Sequence, residues 1–513
     1  MIIIIEFIEF KEEYFNEPYE NHRLEFKKSK SGLSKDIWET YSSFANTDGG
    51  LIVLGVEELK MGTHKYKIVG VDNPEKNIRD FWNCVHDNLK VSVNLLNNDD
   101  VLKMKVGNHY IIQIRVPKAP YERRPVYISN NRTKTYVRTD DGDRIANDTQ
   151  FKYLIVDSQN DIDSELLSNY GIEDLNEETI KEYRLLLHKN TNDQRYLEYT
   201  DQDFLRSIGV MKKDRQTEGA PYKLTVGGLL FFGKYNSITD RFKKFQLDYF
   251  KKRSSLDTDW IDRVSSGDMN YPEMNLFSFY SIVLKKLELS IPDKYRQDGD
   301  MTRGSYKSDI LLALKEALVN TLMHAYFDSD RVIKITDFDD YIDFYNPGEM
   351  KVSKEEFIHG SYSVTRNSII STLFRRVGIA EKGGSGGPRI FDAATKNHLR
   401  YPDINSSFDS TEIRIWKIDM LESLRGLDEV EKAVVSHVMD KGSFKIKDIV
   451  ENTDYTDYKV RATVAKLVEK EILLERGNGK SRSYFISHSE ETGIMAFKRL
   501  LKQIEDDFVN KGK

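Results

Sequence analysis

Residues 49–58, GGLIVLGVEE, limit most strongly what this chain can fold into. The apolar run from Leu51 to Val56 is continuous and too short for an ordinary helix. Bounded by Gly49-Gly50, it predicts a strand buried on both faces. Before it, residues 24–27 read as a strand and residues 34–44 as a helix with Ile37, Tyr41 and Phe44 on one face. Asn46-Thr47-Asp48-Gly49-Gly50 reads as the turn between helix and strand. Strands over residues 101–106, 110–116 and 135–139 complete an α+β domain that ends near residue 155.

The same segment is rich in chemistry. Glu20, Glu25 and Glu58 flank the strand, with Lys27 and Lys28 adjacent. Three carboxylates that converge can hold a divalent ion, Mg2+ or Mn2+, against a phosphodiester. The expectation is therefore a catalytic and metal-binding trio, with the lysines on the nucleic-acid backbone. The plain structural alternative is that Glu25 pairs with Lys27 or Arg23. Lys27, Lys28, Arg123, Arg124, Arg132, Lys134 and Arg138 are the candidate phosphate contacts of this domain.

Composition narrows the classes. A chain of 513 residues predicts roughly three or four domains. Its net charge of −6 requires any nucleic-acid surface to be a local patch. The single cysteine, Cys84, excludes a disulfide framework and any cysteine-based zinc site, and suits a reducing cytoplasm. The opening MIIIIEFIEF has an apolar run of about five residues with no basic residue before it. That is too short for a membrane span and lacks the form of a signal peptide, so no membrane partner is expected.

Residues 156–178 are acidic and poor in apolar residues, which predicts a linker. A second domain follows over residues 179–420, with strands predicted at 224–232, 245–250, 332–338, 341–345 and 412–418. A long helix is predicted over residues 308–327. Glu316, Asn320 and His324 lie at i, i+4 and i+8 on it and share one face. Asn can hold Mg2+ through its oxygen, and Glu can orient or deprotonate a water. Gly383, Gly384, Gly386 and Gly387 form a loop whose N–H groups can meet phosphates.

Residues 427–490 read as three helices and a two-stranded wing, followed by a helix or tail at 491–513. Lys459, Arg461 and Lys466 fall on the third helix. Arg476, Lys480 and Arg482 fall on the wing. Cations in those places suit phosphate contact and groove entry. The alternative is a docking or dimerisation module.

Three resemblances follow from these motifs. Glu25-Phe26-Lys27, Ala45-Asn46-Thr47, Gly49-Gly50, Gly55-Val56 and Tyr136-Val137-Arg138 resemble the Schlafen AlbA-type domain over residues 17–147. In nucleolytic Schlafens three acids form a metal-dependent RNase site. They match Glu20, Glu25 and Glu58, although the third is Asp in those enzymes. Glu316, Asn320, His324-Ala325, the IDFYNPG of residues 342–348, Arg366-Asn367 and the glycine loop resemble a divergent GHKL-type ATPase domain over residues 180–418. That resemblance implies an α/β sandwich binding ATP. Asn320 would sit on Mg2+ and Glu316 would be the ATPase base. His324, Asn346, Gly348, Arg366 and the loop glycines would complete the nucleotide site. Asn346 and Met350 depart from the usual Asp and Gly, which favours nucleotide binding over efficient hydrolysis. The C-terminal unit resembles a winged helix-turn-helix.

The order of modules is similar to bacterial ATP-binding regulators of transcription. One reading is a cytoplasmic regulator, by analogy a homo-oligomer, in which ATP controls engagement of DNA or RNA. A second is an ATP-gated metal-dependent nuclease in phage defence. A third is a non-catalytic assembly protein.

Overall fold

The structure is a computed structural model. It describes residues 6–60, 63–159, 161–292, 295–297, 303–360, 362–380, 383–424, 426–441, 444–470, 472–476, 482–486, 491, 492, 494, 495 and 498. The chain divides into two compact units: residues 1–160 with 407–409, and residues 161–406 with 410–513.

In the first unit the apolar run becomes the inner strand Gly50–Leu54 of a four-stranded sheet. It lies parallel to Leu24–Lys27 and antiparallel to His109–Val116, with Val101–Val106 at the far edge. The helix Ile37–Asn46 is the crossover that a parallel pair requires. Ile52, Val53 and Leu54 are fully buried, each contributing about 1.5–3 kcal/mol. Gly50 admits the Phe44 ring, which a Cβ there would meet at 2.4 Å. Asn46 ends the helix buried, donating to Val126 O at 2.7 Å and Tyr136 O at 2.9 Å.

The strand stops earlier than the sequence predicts. Gly55, at φ +95°, turns the chain, and Val56–Glu58 joins a second sheet with Tyr14–Phe15 and Tyr66–Ile68. Glu58 therefore leaves the sheet that carries Glu25.

Residues 157–178, expected as a linker, are built into structure. After the helix Asp148–Ser158 come the turns Ile162–Ser164 and Ile172–Asp174 and the strand Leu166–Leu167. The acids serve turns and caps: Asp174 accepts from Gly171 N at 2.8 Å. Asp163 is fully buried and accepts from Ile370 N at 2.8 Å and Ile369 N at 3.2 Å. Burial pushes its carboxyl up to about 6.

The second unit is centred on a six-stranded sheet. Its order is Asp262–Ser265, Leu247–Lys251, Ile333–Asp337, Tyr341–Pro347, Ser410–Trp416, Asp403–Ser407. The helices Leu276–Ser290, Tyr306–His324 and Gly386–Lys396 pack together, and their apolar faces share one core with the sheet. The predicted strand 224–232 is a short strand, Tyr222–Thr225, running into a helix, Val226–Phe232. Every residue of that helix is buried, so its sequence shows no helical period. Thr225 caps it by accepting from Gly228 N at 3.0 Å.

Toward the C-terminus, helices Glu429–Lys441, Ile446–Asn452 and Asp457–Glu469 precede an antiparallel ribbon, Leu473–Arg476 with Ser483–Ile486. Val434, Val435, Ile449, Val460, Val464, Leu467 and Leu473 form its own small core. The wing's turn at residues 477–481, with Lys480, lies outside the described residues.

Candidate nucleotide cleft and basic surfaces

The helix Tyr306–His324 brings Glu316, Asn320 and His324 to one cleft, enclosing about 880 Å³ of empty space that includes open solvent. Gly384, Ser385, Gly386 and Gly387 form its facing wall, and Asn346, Lys351, Tyr362 and Thr411 complete it. The glycine stretch is not only a loop. Gly386 opens the helix Gly386–Lys396, so its first N–H groups carry the positive end of a helix dipole. A Cβ on Gly386 would meet Asn320 Nδ2 at 3.0 Å and Glu316 Oε2 at 3.1 Å. Glycine is what lets this helix start against the polar stripe.

Glu316 is buried, and its Oε1 accepts from the Arg389 guanidinium. Burial, helped by the Arg366 and Lys351 cations, holds His324 down to about 4, so it is neutral at pH 7.

Two predicted nucleotide residues act behind the wall. Arg366 is fully buried, donating to His324 O and Glu349 O, both at 2.9 Å. It clamps the end of the long helix to the turn after Tyr341–Pro347 and is not among the residues lining the cleft. Gly348, at φ +103°, lets this guanidinium approach, since a Cβ would lie 3.0 Å from it. The Gly348 carbonyl accepts from Thr411 Oγ1 at 2.8 Å. Gly383 lies on the approach to the helix, with open space around its Cβ position. Asn346 is buried on the strand, and its amide donates to Pro347 O at 3.2 Å.

The acidic trio of the first unit behaves differently. Glu25 is bound through one oxygen to Lys27 and through the other to Arg138 Nη2, each at 2.7 Å. Glu20 Oε1 accepts from Phe26 N at 2.9 Å. Burial, then the Glu25 charge, pushes Glu20 up to about 7. Glu58 Oε1 accepts from Thr63 N at 3.1 Å and His64 N at 3.2 Å across its own turn. Among the described residues no group of three acids, histidines or cysteines is placed to hold a metal ion. Glu20 also feels the charges of both Glu25 and Glu58, so the three predicted acids lie within electrostatic reach of one another. Gly55 carries Glu58 to another sheet, and internal cations occupy both Glu25 oxygens.

Three predicted phosphate contacts are also structural. The Arg138 side chain is 1% exposed, bridging Glu25 and Asp143. Lys27 is largely covered between Glu25 and Asp36, its side chain 11% exposed. Arg124 is buried and donates to Ala119 O at 2.9 Å. Lys28, Arg123, Arg132 and Lys134 remain exposed or partly so, with Lys28 against Glu57.

In the C-terminal unit Lys459 is exposed beside Tyr455. Arg461 pairs with Asp457 at 2.6 Å, Lys466 with the buried Glu431 at 2.9 Å, and Arg482 with Glu475 at 3.2 Å. The side chain of Arg476 lies outside the described residues.

Sequence reasoning missed Arg389, Thr411 and Asp163. Arg389 was the most accessible, three residues after Gly386 in the first turn of a helix whose Ile390, Phe391 and Ala394 follow helical spacing.

Comparison with known proteins covers three segments. Residues 20–147 match the family "Schlafen, AlbA_2". Residues 330–415 match "Putative ATP-dependent DNA helicase recG C-terminal". Residues 152–248 match a domain of unknown function, DUF8451. No curated protein matches the chain. Among solved structures, the DIP2311 protein from Corynebacterium diphtheriae is 16% identical, with 93% of this chain and 94% of that chain covered at a TM-score of 0.41. The N-terminal domain of a "Putative ATP-dependent DNA Helicase RecG-related Protein" from Nitrosomonas europaea is 24% identical. That likeness covers 24% of this chain and 82% of that chain at a TM-score of 0.19. The chain therefore carries one segment similar to the Schlafen AlbA_2 domain and one similar to the RecG C-terminal, ATPase-like domain. No helix among the described residues is long and apolar enough to cross a membrane.

Proposed function

We propose that this chain, with its AlbA_2 domain and its RecG-type ATPase-like domain, is an ATP-binding regulator that engages nucleic acid under nucleotide control. The carrying observation is the cleft in which Glu316, Asn320 and His324 face a helix N-terminus begun by Gly386-Gly387. Backbone N–H groups there suit the phosphates of a nucleotide. Asn320 would hold Mg2+, which would neutralise phosphate charge. The neutral His324 offers a hydrogen bond without adding charge. Glu316 has one oxygen occupied by the Arg389 guanidinium, so it is less free to orient an attacking water, which favours binding over rapid turnover.

Nucleotide occupancy has a route to the rest of the second unit. Arg366 joins the end of the Glu316 helix to the turn at Glu349. Asn367 donates to Met323 O and Ala325 O. The helix that follows, Ser368–Arg376, receives Asp163 at its N-terminus. A nucleotide that prefers one position of these parts shifts the population of states. Exposed Lys28, Arg123, Arg132 and Lys134, together with Lys459 on the C-terminal unit, read as a winged helix, supply the nucleic-acid contacts in this reading.

The test is direct. Wild-type protein should bind Mg-ATP by calorimetry and Asn320→Ala should not. Equal affinity in the two would remove the cleft assignment.

A further inference from the structure

A second basic surface lies in the segment matched only by a domain of unknown function. The strands Met211–Lys213 and Tyr222–Thr225 form a hairpin, and Leu166–Leu167 pairs with its second strand. Between Leu166–Leu167 and the hairpin lie the helices Glu177–Thr191 and Asp201–Ile208. The sheet order is thus first, third, second, with helices between the first two strands and a projecting hairpin after them. This is the geometry of a helix pair with a wing.

Hydrogen bonds close the loop end of the hairpin. Asp214 N donates to Pro221 O at 2.8 Å. The Asp214 carboxylate accepts from Gln216 N at 3.0 Å and Thr217 Oγ1 at 2.6 Å, and pairs with Lys223 at 2.8 Å. Met211 and Leu224 face each other in the core.

Its outer parts are cationic. Residues 206–223 hold Arg206, Lys212, Lys213, Arg215 and Lys223 against only Asp214 and Glu218, in a chain of net charge −6. Lys212 sits opposite Lys223, whose charge Asp214 already meets, which leaves Lys212 as the outward cation of the pair. Tyr222 is 39% exposed, with the Arg206 guanidinium 4.3 Å from its ring centre and Lys213 Nζ at 5.5 Å. Arg206 Nε has no hydrogen-bond partner, and Asp203 reaches Arg206 only through Nη1, at 3.4 Å. Lys212 and Arg215 are exposed and lack acidic partners among the described residues. The C-terminal unit is the contrast, because Arg461, Lys466 and Arg482 are all paired with acids.

We infer that the Met211–Thr225 hairpin, with Arg206 and Tyr222, is a nucleic-acid-binding wing that contacts the sugar–phosphate backbone. It rests on the nucleic-acid reading above and names a site for it. Tyr222 gathers two cations over its ring, so less side-chain freedom is lost when phosphates arrive. Lys212, Lys213 and Arg215 lie along the projecting strand and turn, where successive phosphates can meet them.

The experiment measures binding of the full chain to fluorescein-labelled mixed-sequence duplex and single-stranded oligonucleotides across a salt series. The variant is Lys212→Gln/Lys213→Gln/Arg215→Gln, and Tyr222→Ala is a second. The triple variant removes exposed charges without buried partners, so its melting temperature should stay level or rise. Its affinity should fall by at least about tenfold, and the log–log salt slope should drop by about two to three. Tyr222→Ala should weaken binding with a smaller slope change. Unchanged affinity and slope in both, with wild type binding normally, overturns the wing and leaves the function reading standing. Absence of binding by wild type overturns both. Displacement of bound oligonucleotide by polyglutamate at equal charge concentration overturns the wing as a nucleic-acid site and points to an acidic protein partner.

Discussion

The acidic cluster of the first unit and the polar stripe of the second use similar residues to opposite ends. Glu25, with Lys27, Arg138 and Asp143, forms a closed network in which each charge faces an internal counter-charge. Glu316, Asn320 and His324 border a cleft, and the wall opposite is a helix start made of glycine. A closed network fixes a fold; an open one leaves valences for a ligand. Residue type alone does not distinguish them, but the partners do.

The largest test of that difference is Asn320→Ala. It should lower Mg-ATP affinity by about 100-fold while leaving the melting curve in place. An acid of the first unit, Glu58→Gln, should change neither metal nor nucleotide affinity. A loss of divalent-ion binding in Glu58→Gln would break the comparison.

Next in size is stability. Arg138→Ala leaves Glu25 with Lys27 alone and Asp143 without its cation in a buried setting, and should cost about 3–5 kcal/mol in denaturant unfolding of the first unit. Arg389→Ala also leaves a buried carboxylate unpaired, but the lost guanidinium is 29% exposed and water can take its place, so its cost should be smaller, about 1–3 kcal/mol. Equal costs would mean that the two settings are alike.

Gly386→Ala sharpens the geometry of the cleft. Its methyl would press on Asn320 and Glu316 at about 3 Å. Nucleotide affinity should fall about tenfold with little change in helix stability. Unchanged affinity would show that the helix start does not meet the ligand.

The regions also differ in pH dependence, and its sign is opposite in the two. Glu20 titrates near 7 when folded against an ordinary value of 4.5. The folded state therefore holds the proton over that window, and stability of the first unit falls as pH rises through it. His324 titrates near 4 against 6.5. There the unfolded state holds the proton, so stability of the second unit rises with pH from about 4 to 6.5. Glu20→Gln and His324→Gln should each flatten one slope, read by melting temperature against pH.

Much of this was legible in the sequence where a regular period or a local motif carried it. The stripe Glu316, Asn320, His324 follows from helical spacing alone. So does the inner strand at Leu51–Leu54, from its apolar run between glycines. The helix Val226–Phe232 was not legible, because VGGLLFF is buried all round and has no polar face to mark a period. The linker reading of 157–178 failed because its acids cap turns, and Asp163 finds its partners some two hundred residues away. The partners of the acidic trio were hidden for a related reason. Gly55 separates Glu58 from Glu25, and the cations that engage Glu25 include one 113 residues distant. Long-range pairing of charge leaves no local trace.

The central claim is that nucleotide in the cleft controls nucleic-acid engagement. It is tested most directly by oligonucleotide affinity at fixed salt, with and without saturating Mg-ATP, in wild type and in Asn320→Ala. The account predicts that ATP changes wild-type affinity by about fivefold or more and leaves Asn320→Ala unchanged. Wild-type affinity that stays constant while calorimetry shows ATP bound would contradict it.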